Sequence, residues 1–124
     1  MYKPHGYPDL SAYLVVADAQ ATLDFAARAF GAELLRCFRD EEGVIRHAEL
    51  RIGDSVVMLG QMPGGPEAHL HLYVADPDAV QARALAAGVA EVAPQELKPD
   101  GDRRGGVRDA NGTTWWIARQ EAGG

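Results

Sequence analysis

Several chemistry-bearing side chains recur two residues apart, the interval at which an extended strand returns to the same face. One set is His69, His71 and Tyr73, a second is His47, Glu49 and Arg51, and a third is Ser11 and Tyr13. An imidazole beside a carboxylate suits a general base, so His47 or His71, paired with Glu49, is a candidate catalytic group. The same residue types bind divalent cations, which makes His69, His71, His47 and Glu49 a conceivable metal set. Tyr13, Tyr73 and Trp116 offer a stacking platform for a flat or cationic ligand, although Trp116 can equally be read as a plug of core. Arg103, Arg104 and Arg108 with Asp102 read either as a gate to a ligand groove or as a solvated hairpin. The lone Cys37 excludes an internal disulfide and reads as a small buried hydrophobe. His5 in a Pro/Gly-rich start and Asp40, Glu41 and Glu42 in a turn read as solvated.

The elements that must position these groups are legible because the chain repeats itself. Tyr13 to Gly31, YLVVADAQATLDFAARAFG, is echoed by His71 to Gly88, HLYVADPDAVQARALAAG. In each, a strand-like run ends in Val-Ala-Asp, an Ala-rich helix follows, and a Gly closes it. A further echo sets Gly53-Asp54-Ser55-Val56-Val57 against Gly112-Thr113-Thr114-Trp115-Trp116. Asp18 caps a helix over 19–30 whose inward stripe is Leu23, Ala26, Ala27 and Phe30. Asp76 with Pro77 starts a second helix whose stripe is Val80, Ala84 and Ala87. After the first helix the period turns to two, predicting strands near 33–39, 44–52 and 55–60. In the second half the spacing predicts a short strand near 90–93, a loop over 94–103, and strands near 104–109 and 113–119 joined at Asn111-Gly112.

Strand alternation sorts the side chains. Ala12, Leu14 and Val16 oppose Ser11, Tyr13 and Val15; Leu70, Leu72 and Val74 oppose His69, His71 and Tyr73. Ala48, Leu50 and Ile52 oppose His47, Glu49 and Arg51. In the last strands Val56 and Met58 oppose Val57 and Leu59, and Trp115 and Ile117 oppose Thr114, Trp116 and Ala118. One face belongs under the helices. The other, with its hydroxyls, imidazoles and aromatic rings, is the ligand face.

The chain is 124 residues long with 47% apolar content, enough for one shared core, whereas two independent domains of half the length would be marginal. The expected organisation is a single domain: module one over 10–60, a linker over 61–68 and module two over 69–119. A net charge of −6 with no clustered Lys/Arg run argues against nucleic acid and anionic membranes and favours a neutral or cationic small ligand. No apolar run approaches the length that spans a bilayer, and MYKPHGYPDL lacks a signal peptide's charged and apolar regions, so a cytoplasmic location is the expectation.

The two β-α-β-β-β modules, FGAE at Phe30 to Glu33, HAELRIGDSVVML at His47 to Leu59 and GDRRGGVRDANG at Gly101 to Gly112 together resemble the vicinal oxygen chelate superfamily. That superfamily holds glyoxalase I, bleomycin-resistance proteins, fosfomycin-resistance enzymes and extradiol dioxygenases, and the resemblance is nearest to its small glyoxalase-like branch. It implies an α+β fold in which two βαβββ modules form a curved mixed sheet, a half-barrel with helices on the convex face and a ligand in the concave one. It also implies a homodimer, with modules paired within a chain or exchanged between chains.

The superfamily's enzymes hold a divalent cation between first-strand and last-strand ligands of both modules. Counting from the Val-x-Asp and Gly landmarks, those positions fall at Ser11, His69, Val57 and Trp116, of which only His69 is an ordinary ligand. No cofactor is therefore expected, with a divalent metal as the alternative. Three functions stay open. The first is metal-free capture of an aromatic or cationic small molecule through Ser11, Tyr13, Val57, His69, His71, Tyr73, Trp116 and Arg104. The second is a metal-dependent glyoxalase-like lyase, isomerase or transferase built around His69. The third is a metal-independent enzyme in which His71 or His47, with Glu49, removes a proton beside a carbonyl.

Overall fold

A computed structural model describes residues 2–121 and shows two βαβββ modules. Module one holds β1 (Ala12–Val16), α1 (Ala19–Phe30), β2 (Glu33–Arg39), β3 (Ile45–Ile52) and β4 (Ser55–Gln61). Module two holds β5 (Ala68–Tyr73), α2 (Pro77–Ala86), β6 (Ala90–Leu97), β7 (Asp102–Arg108) and β8 (Thr113–Gln120). Hydrogen bonding runs within each module and gives two four-stranded sheets, ordered β1-β4-β3-β2 and β5-β8-β7-β6. In both, the first strand pairs parallel with the last and the remaining pairs are antiparallel. The chain divides into two compact units along these modules, with Arg28–Phe30 at the end of α1 counted with the second.

Both helices start where their caps direct. The Asp18 side chain accepts from the Ala21 amide at 3.1 Å and that of Asp76 from the Ala79 amide at 3.2 Å, each meeting a donor that a helix start leaves orphaned. Gly31 ends α1 in the left-handed conformation, φ 67°, and returns its amide to the last turn. The buried face of α1 is Ala19, Thr22, Leu23, Phe25, Ala26 and Ala29. Ala27, expected in that stripe, is exposed, because at about 3.6 residues per turn the face centres on Thr22 and Ala26 and Ala27 falls beyond Leu23 at its edge. Val80 and Ala84 are buried on α2 as expected, joined by Pro77 and Gln81.

The strands depart from expectation mainly around 94–103. The expected loop is largely paired: β6 runs through Leu97, a tight turn follows, and β7 begins at Asp102. Lys98 donates its amide to the Asp102 carbonyl at 2.7 Å and Asp100 accepts from the Asp102 amide at 3.0 Å, so the charged residues build the turn. Pro94 is tolerated because β6 is an edge strand whose register shifts between Ala93 and Glu96. Cys37 is half-buried on β2, the edge of the first sheet, rather than fully buried.

Candidate functional site

The polar face of module one is built from three strands and the segment before them. On β3, Glu49 carries a carboxylate in a residue only 5% exposed, and three groups converge on it. The Tyr7 hydroxyl donates to Oε1, His47 Nε2 lies 2.7 Å from Oε2, and Arg36 Nε lies 3.6 Å from Oε1. Burial alone would raise the Glu49 carboxyl, but the Tyr7 and His47 hydrogen bonds and the Arg36 charge together hold it below the ordinary value. The same bond pushes the Tyr7 phenol up. Arg51 ties down the preceding segment by donating to the Gly6 carbonyl at 3.0 Å.

His47 also faces two rings. Its Nδ1 is 3.5 Å from the Tyr13 hydroxyl, and the ring centroids are 5.7 Å apart. Phe38, directly across the β2–β3 ladder, has its ring centroid 6.2 Å from that of His47. The Tyr13 side chain reaches across β4 at Gly60, where an added Cβ would lie 2.7 Å from its hydroxyl. Tyr7, Arg36, Phe38 and Gly60 escape sequence reasoning. Only the strand register brings them beside His47.

On module two, β5 presents His69, His71 and Tyr73, all exposed, as alternation predicts. Trp116 stands opposite His71 in the parallel β5–β8 ladder and donates Nε1–H to His69 Nδ1 at 3.1 Å. The His69 and Trp116 rings lie nearly parallel and are joined edge to edge by this bond, with centroids 6.1 Å apart and planes 10° apart. On its other side Trp116 meets Gly106, where a Cβ would come within 2.7 Å of the indole. Arg104, His71, Tyr73 and Asp102 form a closed circuit. Arg104 Nε donates to His71 Nε2 at 3.4 Å, Arg104 reaches Asp102 at 3.2 Å, and the Tyr73 hydroxyl donates to Asp102 at 2.8 Å. The Tyr73 and His71 rings meet edge to face at 4.7 Å. The hydrogen bond to Asp102 raises the Tyr73 phenol. Arg103 pairs with Asp78, Arg104 also with Asp100, and Arg108 with Glu67, so the arginines belong to ion pairs across turns and strands. A shallow hollow of about 480 Å³ beside Tyr73 is lined by Val74, Ala75, Arg119 and Gln120 and includes neither His69, His71 nor Trp116.

Val57 does not belong with these groups. It pairs with Ala12 and Leu50 on the apolar face and is 8% exposed; Met58, which pairs with Tyr13 and Glu49, takes the place expected of it. The cause is a turn. Gly53-Asp54 joins β3 to β4 with Ile52 opposite Ser55, whereas three residues separate Asp109 from Thr113, which are linked by a 3.0 Å hydrogen bond. The second turn is one residue longer, so aligning the two glycines slips β4 by one position, and a one-residue slip exchanges the faces. By register Met58 corresponds to Trp116, and Val57 to the core residue Trp115. Trp115 is 2% exposed, donates Nε1–H to Asp109 at 3.0 Å and packs its ring 4.9 Å from that of Phe30.

Ser11, His69, Met58 and Trp116 offer one ordinary ligand, and His69 Nδ1 already accepts from Trp116. Among the described residues no group of three His, Cys, Asp or Glu side chains is arranged to hold a metal ion. His47 and Glu49 meet each other in module one, and His71 meets Arg104 rather than a carboxylate in module two.

The repeated βαβββ sheets and their ring-bearing faces define a known class: the chain belongs to the Glyoxalase/Bleomycin resistance protein/Dioxygenase superfamily, whose family model matches residues 10–117. An uncharacterized protein of Mycobacterium bovis is 39% identical, over 90% of this chain and 83% of its own. Among solved structures, TioX from Micromonospora sp. ML1 is 30% identical with a TM-score of 0.80, covering 91% of this chain and 98% of TioX. The fosfomycin resistance protein FosX from Mesorhizobium loti shares the fold, with a TM-score of 0.69 at 15% identity, covering 90% of this chain and 91% of FosX.

Proposed function

We propose that this protein binds a small planar aromatic molecule, neutral or cationic, by stacking it on the module-two face, and that its basic role is capture rather than metal-assisted conversion. The observation that carries this reading is the pinned indole of Trp116, held by His69 and seated on Gly106. An indole fixed on both its edge and one face loses little rotamer freedom when a ligand stacks on it, so more of the contact energy appears as affinity. His71 and Tyr73 continue the ring-bearing surface, and the net charge of −6 favours a cationic ring over an anionic one. A homodimer, on the strength of the family resemblance, and the cytoplasmic setting expected from the sequence complete the reading.

The test is isothermal titration with proflavine, a planar cation, and phenazine, a neutral planar ring. Binding of either probe, weakened from several-fold to about tenfold in Trp116→Ala as expected for one lost ring contact, supports the reading. Equal affinity for wild type and a folded Trp116→Ala variant overturns it, as does no binding of either probe.

A further inference from the structure

We propose that Tyr13, His47 and Glu49 form a proton-transfer site on module one, in which His47 Nδ1 removes the α-proton of an aryl-substituted ketone whose carbonyl oxygen is held by the Tyr13 hydroxyl. This goes beyond ligand capture and uses none of the module-two residues.

Hydrogen-bond roles set the imidazole tautomer. An ionised carboxylate only accepts, and Glu49 already accepts from Tyr7 at Oε1; His47, 2.7 Å from Oε2, must therefore donate through Nε2 and keep the lone pair on Nδ1. That lone pair lies 3.5 Å from the Tyr13 hydroxyl. A base and a hydrogen-bond donor side by side suit a carbonyl oxygen and the C–H next to it. His71 lacks this arrangement, because Arg104 donates to its Nε2 and no carboxylate among the described residues orients it.

The surroundings support the same geometry. Gly60 leaves the space that the Tyr13 hydroxyl occupies on its way to His47, since a Cβ there would lie 2.7 Å from the hydroxyl and 2.8 Å from the Arg46 carbonyl. Phe38, 54% exposed and across the ladder from His47, supplies a ring wall for the aryl group. Tyr7, with the Arg36 guanidinium 5.9 Å over its ring, keeps Glu49 dry, so the carboxylate acts at short range on the imidazolium formed in the reaction. In the step the α C–H bond breaks and its proton passes to His47 Nδ1. The electron pair becomes the enol C=C bond, and the carbonyl π pair moves to the oxygen that Tyr13 hydrogen-bonds. Reversal returns a solvent-derived proton to carbon, with no oxidant or reductant involved. His47 and Tyr13 are the catalytic residues; Glu49 and Tyr7 are positioning residues.

The probe is phenylacetone in deuterated buffer, with loss of its benzylic hydrogens followed by proton NMR. Wild type should exchange them faster than buffer, His47→Gln should fall to the buffer rate, and Tyr13→Phe and Gly60→Ala should each lose about tenfold or more. Glu49→Gln should slow exchange and also move the pH profile, which a purely structural role would not do. If His47→Gln fails to fold, Tyr13→Phe, which keeps the ring, carries the comparison. A wild-type rate equal to buffer, or a rate unchanged in folded His47→Gln or Tyr13→Phe, overturns the proposal. Because capture on module two is read by titration, either proposal can fail without the other.

Discussion

Trp115 and Trp116 sit one position apart on β8, and alternation sends them to opposite faces. Trp115 is sealed into the core against Phe30 and Asp109, so Trp115→Ala should cost about 3–5 kcal/mol, measured by urea denaturation. Trp116→Ala should cost far less stability and instead weaken stacking of planar probes. Glu49 adds a pH dependence of known sign. Its folded carboxyl is held below its unfolded value, so its contribution to stability is present above about pH 4.3 and is lost as the pH falls through the lower, folded value. Thermal melts from pH 7 to pH 3 should show a steeper acid loss in wild type than in Glu49→Gln, and parallel curves would remove Glu49 from the acid transition.

At the scale of the element, the caps, one close approach and one turn are the sensitive points. Replacing Asp18 or Asp76 with Ala removes an N-cap and should cost about 0.5–2 kcal/mol, read as a shift in denaturation midpoint. Gly106 matters for a different reason: it is the floor on which Trp116 lies. Gly106→Ala should lift the indole, red-shift its emission and weaken ligand stacking while leaving Trp115 buried. An unchanged emission spectrum in that variant would show that the indole does not rest on β7. The turn before β8 belongs here as well, since the Asp109 carboxylate accepts from the Asn111 and Thr113 amides at 2.9 and 3.1 Å and from Trp115, setting both turn length and strand register.

At the scale of the whole molecule, the prediction concerns metal. After incubation with nickel, zinc, manganese or ferrous ions and desalting, mass spectrometry should find no stoichiometric ion, because His69 is the only ordinary ligand at the positions the family uses. About one ion per chain, lost in His69→Ala, would restore a metal-dependent reading. The repeat, both helices, their caps and the three strands after α1 were legible in the sequence because each rests on local rules: periodicity, capping oxygens and turn residues within a few positions. His69, His71, Tyr73 and Trp116 were likewise placed on one face by alternation alone, and there Trp116 meets His69 and Tyr73 meets His71; Arg104, read as a loop gate or a solvated hairpin, reaches them through His71. Val57 was misplaced because a turn one residue longer in the second module cannot be seen by matching glycines. Tyr7, Arg36, Phe38 and Gly60 were missed because they reach His47 and Glu49 only through cross-strand pairs and a returning N-terminal segment. Amino-acid order thus determined which residues could share a face; only hydrogen-bonded register decided which of them touch, since neighbours across a ladder are chosen by pairing between strands and not by separation along the chain.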